Sequence, residues 1–324
     1  MKKFLALIWC VFCGWSAAAD DAVITFVTDW KAQAEHGGFY QALAKGYYRK
    51  RGLSVRIRPG GPQTDNPRLM AAGAIDIALA SNNFQPLNLI AAGADVKVVM
   101  TTFQKDPQVL MVHPEVKAEG FKDLGGKPIF LADSALATFW PWLKAKFGYE
   151  DHQIRKYAYS LAPWLVNKGT VQEGYLSSEP YSAEKAGVKP KVFLFADEGY
   201  LGYAGMVMVR GKFLKTNKAT VLAFVEASLE GWNDYLWGDP TPGNALILKD
   251  NPEMTEDLIA FALQAMRRHE MLGPKPMLGI MTEKRWLDFY TEMSALELLP
   301  KGLDPSDAFT LEFLPQTAEM KAEH

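Results

Sequence analysis

Three short apolar runs in the first eighty residues each end on a polar or glycine-rich tip, with helix-like text between them. Val23-Ile24-Thr25-Phe26-Val27 runs into Thr28-Asp29-Trp30, the alternating stretch 53–58 into Gly60-Gly61-Pro62-Gln63, and Ile75-Asp76-Ile77-Ala78-Leu79-Ala80 into Ser81-Asn82-Asn83. Between the first two, Phe39, Leu43, Ala44 and Tyr47 fall on one face of a helix expected over about 38–50 and stopped by Gly52. A shorter helix starts at Pro67. Strand, helix, strand, helix, strand sets an α/β fold with a mostly parallel sheet. Ligand crevices in open parallel sheets lie outside the carboxyl ends of the strands. The three tips are therefore expected to line one cleft.

The middle of the chain reads as a second lobe. Val98 to Phe103 and Val109 to Val112 are apolar segments separated by Gln104-Lys105-Asp106-Pro107, and Pro128-Ile129-Phe130-Leu131 is a strand ending at Ala132-Asp133-Ser134. An aromatic-rich helix is expected over 137–147, and short strands at 174–176 and 192–195. The stretch 205–209 would carry the chain back, and helical text then fills 221–236, 255–271 and 282–298. The expected division is a discontinuous first lobe, 20–105 with 206–324, and a second lobe, 106–205. Two crossings make the double-stranded hinge that closure over a ligand needs.

The N-terminus reads as an export signal. Lys2 and Lys3 precede an apolar stretch from Phe4 to Trp15, and Ala17-Ala18-Ala19 supplies a small-residue cleavage pattern, so residues 1–19 are expected to be removed and the chain to act in the periplasm. Both cysteines, Cys10 and Cys13, lie inside that segment, so the mature chain would hold no disulfide, thiolate nucleophile or cysteine metal site. Subtracting Lys2 and Lys3 from 35 basic residues leaves 33 against 37 acidic ones, a net charge of −4 that gives no sign of a nucleic-acid partner or an anionic membrane surface.

The segments Asp29-Trp30, Glu35-His36-Gly37-Gly38-Phe39-Tyr40-Gln41-Ala42, Lys45-Gly46-Tyr47-Tyr48 and Gly52-Leu53 resemble the opening of the thiamine-pyrimidine-type solute-binding proteins, a group with relatives for sulfonates, taurine and nitrate. The likeness continues through Pro59-Gly60-Gly61-Pro62, 69–78, Lys122-Asp123-Leu124-Gly125-Gly126-Lys127 and Ser178-Glu179-Pro180-Tyr181. It implies a two-lobed type II periplasmic binding protein fold, each lobe a mostly parallel sheet flanked by helices, with the solute in the cleft between them. It also implies an ABC transporter permease in the inner membrane as partner, and a monomer. The preferred solute is an aminopyrimidine thiamine precursor; a sulfonate, taurine, nitrate, flavin or other aromatic compound is the alternative. The same superfamily contains the yeast-type pyrimidine synthase, which consumes its own histidine and a bound pyridoxal phosphate. That enzyme carries a cysteine-rich motif and this chain, once processed, would have none, so the reading is a binding protein without a cofactor.

Each candidate ligand residue has a structural alternative. Trp30 could stack on a flat ring or pack on its own lobe; Asp29 could pair with an exocyclic amine or cap a helix. His36 could exchange one hydrogen bond with a solute, with Gly37 and Gly38 admitting close backbone approach. Tyr40 could add a hydroxyl or belong to the core. Gly61 and Gln63 could offer backbone N–H groups and an amide, and Ser81, Asn82 and Asn83 suit a neutral heterocycle or are ordinary turn residues. From the second lobe come Asp133, Ser134 and Glu179, the last a loop carboxylate able to bind an amine. Tyr200 and Tyr203 could supply a second aromatic face or pack the hinge. Two carboxylates facing the cleft would repel an anion and favour an amine-bearing ring. Gly-x-Ser-x-Gly and His-Glu-x-x-His are missing, and the five histidines lack ligand spacing.

Overall fold

The computed structural model describes residues 23–61, 63–157 and 160–315. The expected leader at 1–19 and Pro62 of the second tip lie outside the described residues. Ten strands follow in chain order: β1 Ile24–Val27, β2 Val55–Arg58, β3 Ile77–Asn82, β4 Val96–Phe103, β5 Gln108–Val112, β6 Ile129–Leu131, β7 Ile154–Lys156, β8 Val171–Tyr175, β9 Lys191–Leu194 and β10 Ala204–Arg210. They form two five-stranded sheets, ordered β2-β1-β3-β10-β4 and β7-β6-β8-β5-β9.

In the first sheet β1 pairs in parallel with β2 and β3, while β10 runs antiparallel to β3 and β4. In the second, β6 is parallel to β7 and β8, and β5 is antiparallel to β8 and β9. Each sheet thus has four strands in one direction and one reversed. The reversed strands are those beside the two crossings: β5 follows the outgoing segment 104–107, and β10 follows the returning segment 195–203. β3 and β4 are apolar on both faces because helices cover both sides, as buried parallel strands require.

The helix expected over 38–50 is two. Gly46 takes φ +70° and breaks it into Gly37–Ala44 and Tyr47–Lys50. Gly37 and Gly38 do not face the cleft either. A Cβ on Gly37 would sit 2.0 Å from the Tyr235 ring, and one on Gly38 2.1 Å from Trp232, so these glycines let this helix press against the long helix Lys218–Trp237.

Arg285, on the helix Glu283–Ala295, grips both crossings. Its guanidinium donates to the carbonyls of Leu201, at 2.9 Å, and Gly202, at 2.9 Å, on the return, and to the Gln104 carbonyl on the outgoing segment. It also lies 4.1 Å over the ring of Tyr203. A planar fork of donors suits this task, since one group reaches carbonyls on two strands.

Candidate functional site

A cavity of about 960 Å³ opens between the two sheets. Its first wall comes from the three strand tips. After β1, the Thr28 hydroxyl donates to the Trp30 carbonyl at 2.7 Å and accepts from the Gly60 N–H at 3.0 Å, tying the first tip to the second. Only glycine fits at 60, where a Cβ would lie 2.4 Å from the Thr28 carbonyl oxygen. Asn66 stitches the back of this wall, donating to the Thr28 and Leu79 carbonyls at 3.2 and 2.9 Å. Asp29, Trp30, Gly61, Gln63, Ser81 and Asn82 all line the cavity, so the three tips do converge.

Asp29 is the organiser of this wall. One carboxylate oxygen accepts from His36 Nε2 at 3.0 Å and the other from the Ser81 hydroxyl at 2.8 Å. Burial alone would push this carboxyl up; the bonds from His36 and Ser81 and the imidazole's charge outweigh it and hold Asp29 below the usual carboxylate value. The other ring nitrogen of His36, Nδ1, is not engaged by Asp29. It is buried and has no partner among the described residues, as is Asn66 Oδ1 in the same cavity wall. Buried polar atoms without partners are costly unless something else meets them.

The opposite wall centres on β8. Glu179, at the start of the helix Glu179–Lys185, folds back so that its carboxylate accepts the Tyr175 N–H at 2.7 Å and the Tyr157 hydroxyl at 3.1 Å. Gly174 makes room for this: a Cβ there would lie 2.6 Å from Cβ of Glu179. Replacing Gly174 with alanine should therefore cost about 1–3 kcal/mol through overpacking, measured by chemical denaturation. Glu173 also lines the cavity and accepts the Ala132 N–H at 2.6 Å. Asp106, on the outgoing crossing, accepts the Gln108 N–H at 2.9 Å.

The cavity is acidic. Among the described residues, Asp29, Glu35, Asp65, Asp106, Asp133, Glu173, Glu179 and Glu253 line it against one lysine, Lys31, which is itself 2.5 Å from Glu253. Burial pushes Asp106 up to about 7 and Glu173 up to about 8, and raises Glu35 and Glu179 too. Burial, and after it the charges of Asp106, Asp29, Glu35 and Glu179, push the Tyr175 phenol well up. Because Glu173 is raised in the folded state, the native chain keeps a proton that the unfolded chain loses above its ordinary value. Stability should thus fall as pH rises from about 4.5 to 8. Thermal denaturation at pH 5.5 and 8.0 checks this: the midpoint drops with pH, and Glu173→Gln flattens the drop.

The two walls touch. The Ser177 hydroxyl donates to Glu35 across the cleft, Tyr181 and Lys185 both reach Asp257, and Tyr181 lies 4.9 Å from the Phe261 ring. Asp133 lines the rim and pairs with Lys156 at 3.3 Å, and Ser134 stands beside it.

Four expected site residues lie elsewhere. Tyr40 is buried under the helix Thr241–Asp250, its hydroxyl 3.0 Å from Asp250. Asn83 is buried and accepts the Tyr203 N–H. Tyr200 packs among Trp142, Phe195 and Phe289. Tyr203 lies under Arg285, its hydroxyl accepting the Thr282 N–H at 3.0 Å. Aromatic faces in the cavity come instead from Trp30, Phe103, Phe139, Tyr157 and Tyr175. Glu35, Asp106, Glu173 and Tyr175 also line the cavity without being among the expected residues; the alternation of β8, which puts Glu173 and Tyr175 on one face, is the sequence signal for two of them.

Two α/β sheets facing a ligand-sized cavity define a bilobal solute-binding architecture. The chain belongs to the NMT1/THI5-like family, whose model matches residues 33–241. It is 26% identical to the riboflavin-binding protein RibY of Chloroflexus aurantiacus, over 90% of this chain and 86% of that one. It is 25% identical to a formylaminopyrimidine-binding protein of Halalkalibacterium halodurans, over 96% of this chain and 99% of that one. A shorter likeness, 28% over 33% of this chain and 31% of the other, joins it to a 4-amino-5-hydroxymethyl-2-methylpyrimidine phosphate synthase of Aspergillus parasiticus. Among solved structures, the alkanesulfonate-binding protein SsuA of Xanthomonas axonopodis pv. citri shares the fold, with a TM-score of 0.64 at 17% identity over 90% of this chain and 99% of that one. These findings support a solute-binding role.

Proposed function

We propose that the chain is the exported receptor of an ABC uptake transporter and captures a small amine-bearing nitrogen heterocycle, an aminopyrimidine of the thiamine-precursor kind, by closing its lobes over it. The observation that carries this reading is the acidic cavity: among the described residues, eight carboxyl side chains, two of them on the β8 wall beside Tyr175, against a single paired lysine. An exocyclic amine or a protonated ring nitrogen would give Glu179 a further donor beside the Tyr175 N–H and the Tyr157 hydroxyl, and the buried, unpartnered His36 Nδ1 could meet another polar atom of the ring. Trp30 and Tyr175 offer flat faces for a ring, a use aromatic side chains serve at low entropic cost. A sulfonate or nitrate would meet carboxylates without a compensating cation, which desolvation makes costly. The same shortage tells against a phosphate-bearing cofactor, so the family's synthase chemistry finds no cradle among these residues.

The lobes proposed are 20–105 with 206–324, and 106–205, turning about the crossings that Arg285 holds. The permease would meet the closed form from outside the cleft. A thermal-shift panel of aminopyrimidines, thiamine, riboflavin, taurine, alkanesulfonates and nitrate tests the reading. A ligand at 100 times its Kd should stabilise the fold by about 2.7 kcal/mol, enough to move the midpoint by a few degrees. The aminopyrimidines should shift it and the anions should not; a shift from an anion alone would sink the proposal.

A further inference from the structure

The cavity is larger than one pyrimidine ring needs. At about 30 Å³ of liquid volume per water, 960 Å³ would hold roughly thirty waters. It sits near the top of the ~300–1,000 Å³ range of small-molecule sites. The surplus has a definite place and a definite chemistry. Outward of Glu179, along its own helix, Ser182 lines the cavity, and the side chains around it are apolar: Leu161, Ala162 and Leu165 from the second lobe, Met254 and Leu258 from the first.

Both sides of this apolar pocket are anchored. The short helix Ala162–Val166 is pinned by Trp164, which is fully buried, receives a hydrogen bond on its carbonyl from His113 Nε2 at 2.9 Å, and lies 4.2 Å from the imidazole. Leu161 and Leu165 pack against the small core of Met111, Trp164 and Ala183, and remain half-buried where they reach the cavity. On the other side, Asn251 donates to the Ala32 carbonyl at 2.8 Å and so fixes the turn that carries Met254. Leu258 lies on the first turn of the helix Glu256–Arg268, capped by Thr255. Asp257, its neighbour, meets Tyr181 and Lys185 across the cleft, so the two apolar sides come together at the closed lobe contact.

We infer that this pocket is a second subsite, built for an apolar substituent carried by the heterocycle whose amine Glu179 receives, and that the natural solute is therefore an extended two-part molecule: an amine-bearing ring with an alkyl or aryl arm. The inference rests on the function proposed above. A polar arm has less to meet there, since of Leu161, Ala162, Leu165, Ser182, Met254 and Leu258 only the serine side chain can hydrogen-bond. An apolar arm would finish the burial that Leu165 and Leu258 leave incomplete. Because the arm is gripped by residues of both lobes, it would also favour the closed form.

The test is a calorimetric series on the full mature chain with 4-amino-2-methylpyrimidines bearing methyl, butyl or benzyl at ring carbon 5, and the same arms at ring carbon 2. Each buried methylene should tighten binding about fourfold, so butyl should exceed methyl by more than tenfold at one of the two ring positions. Leu165→Asn and Leu258→Asn should each erase most of that advantage, read as the butyl-to-methyl ratio within each variant, with circular dichroism showing both variants folded. If every extended compound binds no better than the methyl one, the subsite is refuted while the aminopyrimidine reading stands. An advantage that survives both substitutions refutes its location. If no compound of the series binds, the heterocycle reading fails first and this inference with it.

Discussion

Glu179→Gln should weaken binding of an aminopyrimidine by about 100-fold, or about 2.7 kcal/mol, with little change in the stability of the unliganded protein. The size follows from removing one charge-assisted hydrogen bond in a desolvated site, where losing a single partner costs about 2–5 kcal/mol. Glutamine keeps a carbonyl oxygen for one of the two donors that Glu179 now serves, the Tyr175 N–H and the Tyr157 hydroxyl. The wall should therefore keep its shape while losing its charge. Alanine would open the wall as well, so the glutamine variant is the cleaner reading. Calorimetric titration checks it: equal affinity in wild type and variant would remove Glu179 from the site.

The largest stability effect is expected at the hinge. Arg285→Ala should destabilise the fold by about 3 kcal/mol, because it strands the carbonyls of Gln104, Leu201 and Gly202 at once and uncovers the Tyr203 ring. Lysine should rescue little, since an ammonium on a flexible stem cannot span two strands as a planar fork does. Guanidinium denaturation measures both variants. A lysine variant as stable as the wild type would mean that charge alone, without the fork geometry, holds the crossings.

How much of this was legible beforehand depended on whether local chemistry or tertiary packing set the outcome. The three strand tips could be read because apolar runs ending on Asp29, Gly60 and Ser81 leave few choices of where a parallel sheet presents its loops. The chain's return through β10 was likewise visible as an apolar run, although its antiparallel direction was not. Gly37-Gly38 misled for a physical reason: a glycine pair admits close approach of any partner, and here the partner is the Tyr235–Trp232 face of a helix some two hundred residues away. Tyr200 and Tyr203 misled similarly, because an aromatic near a crossing serves packing as well as binding, and Trp142, Phe289 and Arg285 claim them. Glu173 and Asp106 were hidden because a carboxylate in a strand or a linker ordinarily faces water. Only the assembly of two sheets around the cavity buries them.

The acidity of that cavity is the centre of the account, which predicts that the chain prefers an amine-bearing ring to an anion. Isothermal titration at pH 7 with 4-amino-5-hydroxymethyl-2-methylpyrimidine and with an alkanesulfonate of similar size puts it to the most direct test. The aminopyrimidine should bind one to one with saturable heat, and the sulfonate should give none. Saturable binding of the sulfonate, with no heat from the aminopyrimidine, would contradict the reading of the carboxylate wall.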